Sequence, residues 1–176
     1  MNSSTAVENE DHHSTRLTKD FKQLRQSPLF SGLHLDVVKL IAYLSRHRTF
    51  QPGDLLTEHG DKADKAFILN EGCAEVIVMH KGEQVVLQQL ENEGFFGELA
   101  LLAQFDWFFS VKALNVVDAL IIDRNAFQKV LEKFPDHRDG IIERVIQTYV
   151  SRLVDQTSSM LDKMLPADTI PSTALI

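Results

Sequence analysis

Apolar residues change their spacing twice along the chain, from helical to strand-like and back. Leu17, Phe21 and Leu24, then Val37, Val38, Leu40, Ile41 and Leu44, recur at helical intervals with an interruption at Ser27 and Pro28. This predicts a short pair of helices broken at the proline. The middle of the chain follows a different rule. Short apolar runs at 54–57, 66–69, 74–79 and 85–90 are separated by Gly53, Gly60, Gly72, Gly82 and Gly94. Strands punctuated by turns every ~8–12 residues predict an antiparallel β architecture. His80-Lys81-Gly82-Glu83 reads as a hairpin turn. The segment GELALL interrupts the β pattern as a short helix, and two further strands are expected at 109–114 and 119–123.

The helical period returns in NAFQKVLEKFP, which Pro135 stops. A longer helix is expected from about Asp136 to Met164. Along it Ile146, Val150, Leu153, Thr157, Met160 and Met164 alternate steps of four and three, and Ile141, Ile142, Val145 and Tyr149 widen the apolar face at its start. The first half has a domain to pack on. The second half is either folded back on that domain or a stripe for self-association, and the spacing favours a homodimer. The organisation expected is a disordered tail over 1–14, a domain with N-terminal helices over 15–135, a long helix over 136–164 and a second disordered tail over 165–176.

Composition narrows the function. A net charge of −7 on 176 residues provides no broad attraction for nucleic acid or an acidic membrane surface. The N-terminus lacks a basic start followed by an apolar segment, and no stretch is apolar enough to span a bilayer, so a cytoplasmic protein without membrane insertion is expected. Cys73 stands alone and reads as a buried thiol in a reducing compartment. His12 and His13 read as part of a solvated tail, so no metal site is expected. No GxSxG, HExxH or phosphate-binding P-loop motif occurs, and no catalytic residue is assigned.

Four segments, SPLFSGL at 27–33, FQPGDLLTEHGDKADKAFILNEGCAEV at 50–76, FFGELALL at 95–102 and VDALIIDRNAFQKVLEKFP at 117–135, occur in an order that resembles the cyclic nucleotide-binding domain superfamily. The resemblance implies an α+β, mainly β fold: an antiparallel β-barrel or jelly roll of about eight strands with an internal cassette helix, flanked by N-terminal helices and a long C-terminal helix. It also implies a regulatory module, and a ligand pocket at the cassette. There Gly97 lets the backbone approach an anion, Glu98 takes a ribose 2′-hydroxyl, and the backbone at Leu99 and Ala100, beside Phe96, faces a cyclic phosphate.

The pattern then departs from the family. Trp107 stands at the position of the phosphate-binding Arg, Phe108 at a small residue and Phe109 at an Ala, while Ser110 returns to pattern. No Lys, Arg or His occurs from Leu101 to Val111. Losing one partner of a buried charge pair costs about 3–5 kcal/mol, or about 100- to 3,000-fold in affinity. A helix terminus offsets only about 0.3–2 kcal/mol of that. Lys112 and Arg124 are the nearest candidates for a replacement cation. The expectation is a degenerate pocket, closed by aromatic rings, that does not hold cyclic AMP or cyclic GMP tightly. The alternative is a sensor that binds a cyclic nucleotide or related nucleoside through Glu98, the helix N-terminus and stacking on the aromatic residues. The residues after Met164 are too few for a DNA-binding helical motif, so output is expected to pass through a protein partner or self-association.

Overall fold

The computed structural model describes residues 4–91 and 94–164. Its order is α1 (Ser4–Gln26), α2 (Leu35–Leu44), β1 (Arg46–Phe50), β2 (Leu55–Thr57), β3 (Lys62–Ala63), β4 (Lys65–Glu71), β5 (Ala74–His80), β6 (Glu83–Leu90) and β7 (Phe95–Phe96). A single turn of 3-10 helix (Glu98–Leu101) follows. Then come β8 (Phe105–Asp106), β9 (Ser110–Ala113), β10 (Val117–Asp123), α3 (Arg124–Lys133), a second 3-10 turn at Pro135–His137 and α4 (Arg138–Met164). The expected break at Pro28 ends α1, and Pro135 follows the end of α3. Helix α1 begins inside the segment whose composition reads as disordered, because good helix formers such as Ala6 and Glu8 can extend a helix without an apolar face. The expected tail at 165–176 lies outside the described residues.

The strands form two four-stranded antiparallel sheets, β1-β10-β4-β7 and β2-β9-β5-β6, with a two-strand ladder of β3 and β8 beside them. This is the jelly-roll arrangement, made of facing sheets rather than one continuous hydrogen-bonded barrel. β4 and β10 explain why an apolar run can be a strand. Ala66, Ile68, Leu120 and Ile122 face a core shared with Leu24, Phe30, Val37, Ile41, Phe127, Ile141 and Val145 of the helices. Their neighbours Phe67, Leu69, Ala119 and Ile121 face the space between the sheets, with Phe50, Phe96, Trp107 and Val111. Alternation sends successive side chains to opposite faces, and here both faces are covered. Phe95 and Phe96 are divided between the two cores in the same way.

The hairpin at 80–83 is observed. His80 pairs with Glu83, and both central residues, Lys81 and Gly82, have positive φ (51° and 85°). That backbone suits a two-residue turn between right-twisted strands. Three short strands escaped the hydrophobic pattern. β3, β7 and β8 have only two residues each, too few to display a period. Cys73, expected to be buried, is only half-buried in the turn between β4 and β5.

Polar contacts fasten α1 to the first sheet. His47 Nε2 lies 2.7 Å from Asp20 Oδ1, and Asn70 donates to Asp118 Oδ2 at 2.8 Å on the other side of the imidazole. At the start of β1, next to His47, Arg46 donates two 2.8 Å hydrogen bonds to Asp123. These bonds hold the Asp123 carboxyl below its ordinary pKa and raise that of the guanidinium.

Candidate functional site

β7 and the 3-10 turn carry the cassette. Phe96 pairs with Phe67 across the β4–β7 ladder, and their rings stack at 4.8 Å. Gly97 follows with φ of 86°, in the left-handed region where a side chain is strained. Close packing also excludes one, since a Cβ there would lie 2.7 Å from the Lys65 carbonyl and 3.1 Å from Trp107 Cη2. The bareness of Gly97 thus admits the indole.

Trp107 is 3% exposed, in contact with Phe96, Phe105 and Phe109 at ring-centroid distances of 6.2, 5.7 and 5.2 Å. Its backbone is held on both sides. Its N–H donates to the Asp61 carbonyl at 2.8 Å and its carbonyl accepts from Gly60 N–H at 2.7 Å. The β3–β8 pairing, with Lys62 bonded to Asp106 at 2.6 Å, fixes the same loop. An aromatic cluster with edge-to-face contacts gains stability beyond its buried area. Indole and cassette therefore form one packed unit.

The remaining site residues are placed as follows. Ala100 is buried, Leu99 is half-buried, and Ser110 uses its hydroxyl to accept from His59 N–H at 3.0 Å. Phe108 stands apart, 64% exposed and edge-on to Phe109. The expected cassette helix is one 3-10 turn of four residues, in which the Ala100 N–H is already bonded to the Gly97 carbonyl at 2.9 Å. So short an element sums few peptide dipoles, which weakens the electrostatic argument for an anion.

Neither cation proposed from the sequence lies in the cassette to meet an anion. Lys112 pairs along β9 with Leu55 and Glu75. Arg124 spends its guanidinium on main-chain carbonyls, bonding Ala100 and Ala103 at 2.5 Å and also Ala63. It staples the cassette turn to β3 and the start of α3.

The cation that pairs with the cassette carboxylate is Arg152 of α4. Its Nη1 lies 3.0 Å from Glu98 Oε2, and its guanidinium sits 5.7 Å above the Phe95 ring. Glu98 is 2% exposed, Arg152 28%, and Glu98 Oε1 has no hydrogen-bond partner. One turn further, Gln156 donates to Gln88 Oε1 on β6 at 2.9 Å. Helical spacing alone puts Arg152 in a polar row but does not name its partner. Thr148, Arg152 and Gln156 form a polar row, on the side of α4 away from the apolar stripe.

The profile of the cyclic nucleotide-binding domain matches residues 47–134, half of the chain, across the strands, cassette turn and α3 just described. The chain belongs to the cyclic nucleotide-binding domain family. It is 28% identical over 108 residues to potassium channel KOR1 of Oryza sativa subsp. japonica, covering 61% of this chain and 13% of the channel. It is 33% identical over 108 residues to a cAMP-dependent protein kinase regulatory subunit of Hypocrea atroviridis, covering 61% of this chain and 22% of the subunit. The chain thus spans a small part of these curated relatives. The N-terminal domain of a transcriptional regulator from Streptomyces coelicolor A3(2) superposes with a TM-score of 0.64 at 22% identity, over 77% of this chain and 95% of that one. That likeness establishes the fold. Among the described residues, no helix is long and apolar enough to cross a membrane.

Proposed function

We propose that this chain is a non-catalytic regulatory and interaction module of the cyclic nucleotide-binding fold, with a pocket that does not hold cyclic AMP or cyclic GMP tightly. The observation carrying this reading is the indole of Trp107 packed on Gly97, at the place where a ligand phosphate would approach. Supporting it, the stretch from Leu101 to Val111 has no cation, and Arg124 is committed to carbonyl groups. An anion entering here would have to displace a packed ring and compete for guanidinium groups already engaged, Arg124 with carbonyls and Arg152 with Glu98.

With the pocket closed, the module acts through its surface, in the cytoplasm. The outward face of α4 supplies that surface: Ile146, Val150, Leu153, Met160 and Met164 are all exposed. They run about 27 Å along the helix. A second copy of the chain offers the same stripe and can pair with it as a symmetric homodimer.

The pocket reading is tested with purified protein and millimolar cyclic AMP or cyclic GMP. No thermal shift and no change in Trp107 fluorescence are expected. A saturable shift at micromolar nucleotide would overturn the reading, and the chain would then be a nucleotide sensor.

A further inference from the structure

The placement of α4 contains a division that the dimer stripe does not explain. Its first two turns are anchored by Ile141 and Val145 in the helical core. Beyond Val145, apolar side chains turn outward, while Arg152 and Gln156 reach back to the cassette and β6. Two polar contacts hold this half, Arg152 to Glu98 and Gln156 to Gln88. The first is the stronger, because Glu98 is buried and a buried carboxylate is costly without a counter-charge. A planar guanidinium suits that role, since it can bond a carboxylate while lying against an aromatic face, here Phe95.

We propose that the Glu98–Arg152 pair is a built-in latch: the cassette carboxylate takes a guanidinium from the chain's own terminal helix, and this bond sets where α4 presents its apolar stripe. Glu98 is thereby a guanidinium site filled in cis, and the unpartnered Oε1 is its unfilled half. Breaking the pair frees α4 from about residue 148 onward while the helical core and the sheets stay folded. The latch rests on the closed-pocket reading, because a ligand bound through Glu98 would have to compete with Arg152.

The test is hydrogen exchange on the full chain, comparing wild type, Arg152→Ala, Glu98→Gln and the double variant at a concentration where sedimentation gives one oligomeric state for all four. Each single substitution is expected to speed exchange of amides 149–164 by about tenfold or more. Amides of β4 and β10 should keep their protection, and the double variant should exchange no faster than the singles. Arg152→Lys, which keeps a cation tethered to α4, should retain more protection than Arg152→Ala, and should lose that advantage when combined with Glu98→Gln.

Unchanged exchange in both single variants, or effects that multiply in the double variant, would overturn the latch. If Glu98→Gln loses protection throughout the sheets, the Arg152 variants decide alone, and Arg152→Ala with amides 149–164 as protected as in wild type overturns the proposal. Failure of the pocket reading is recognised separately, as a nucleotide-dependent thermal shift in the wild-type chain.

Discussion

The cassette mouth and the outer face of α4 are both rich in large apolar side chains, yet Trp107 is 3% exposed and Leu153 is 49% exposed. At the mouth, strands from distant parts of the sequence bring Phe67, Phe96, Phe105 and Phe109 around one indole. On α4, the stripe stays exposed among the described residues. The comparison teaches that apolar residues close a site only where the fold supplies facing surface. Where it supplies none, the same chemistry stays in solvent, which is why the stripe is proposed as a partner surface.

The largest expected effect is at the closed region. Trp107→Ala should cost about 3–5 kcal/mol of stability, read from urea unfolding, because it empties a packed position between two sheets. A loss below about 1 kcal/mol would mean that the ring is not packed as described. For the open region, Leu153→Asp should leave folding stability nearly unchanged and weaken self-association. Each copy would lose about 1.5–3 kcal/mol of burial, so the dimer should dissociate about 100-fold more readily or worse. Sedimentation showing a wild-type monomer at tens of micromolar would remove the open region's assigned role.

Two smaller predictions calibrate the contrast. The Arg46–Asp123 pair, half-exposed and remote from both regions, should contribute about 0.2–1 kcal/mol. Because the folded state depresses the Asp123 pKa, that contribution is present above the ordinary carboxylate value and is lost as pH falls through the lowered one. Asp123→Asn should therefore narrow its stability difference from wild type below about pH 4, where carboxylates become protonated. Phe108→Ala should change stability by no more than about 0.5 kcal/mol, because its ring is largely in solvent. A larger loss would place Phe108 with Trp107 in the closed region.

Much of the fold was legible in the sequence. The runs at 66–69 and 119–123 became central strands, Pro28 and Pro135 marked helix ends, and Lys81-Gly82 made the hairpin. The two-residue strands were not legible, since two positions cannot establish a period of two. In the site, the departure at Trp107 was readable because it is a local change of residue type. The engagement of Arg124 with three carbonyls, and of Arg152 with Glu98 across 54 positions, was not readable.

The sequence by itself determined the order of helices and strands, the loss of a cation from the cassette stretch and the apolar stripe of α4, because these are matters of residue type and spacing along one chain. Only the tertiary structure decided that the indole lies over Gly97 while Phe108 does not join it. Neighbouring aromatic residues have the same composition-level claim to the pocket, and strand direction together with the pairing at Asp61 and Gly60 chose between them. Likewise, Glu98 was a candidate ribose ligand by pattern. Its contact with Arg152 arises because α3 and the start of α4 bring that helix back across the cassette, a long-range closure that no local period encodes.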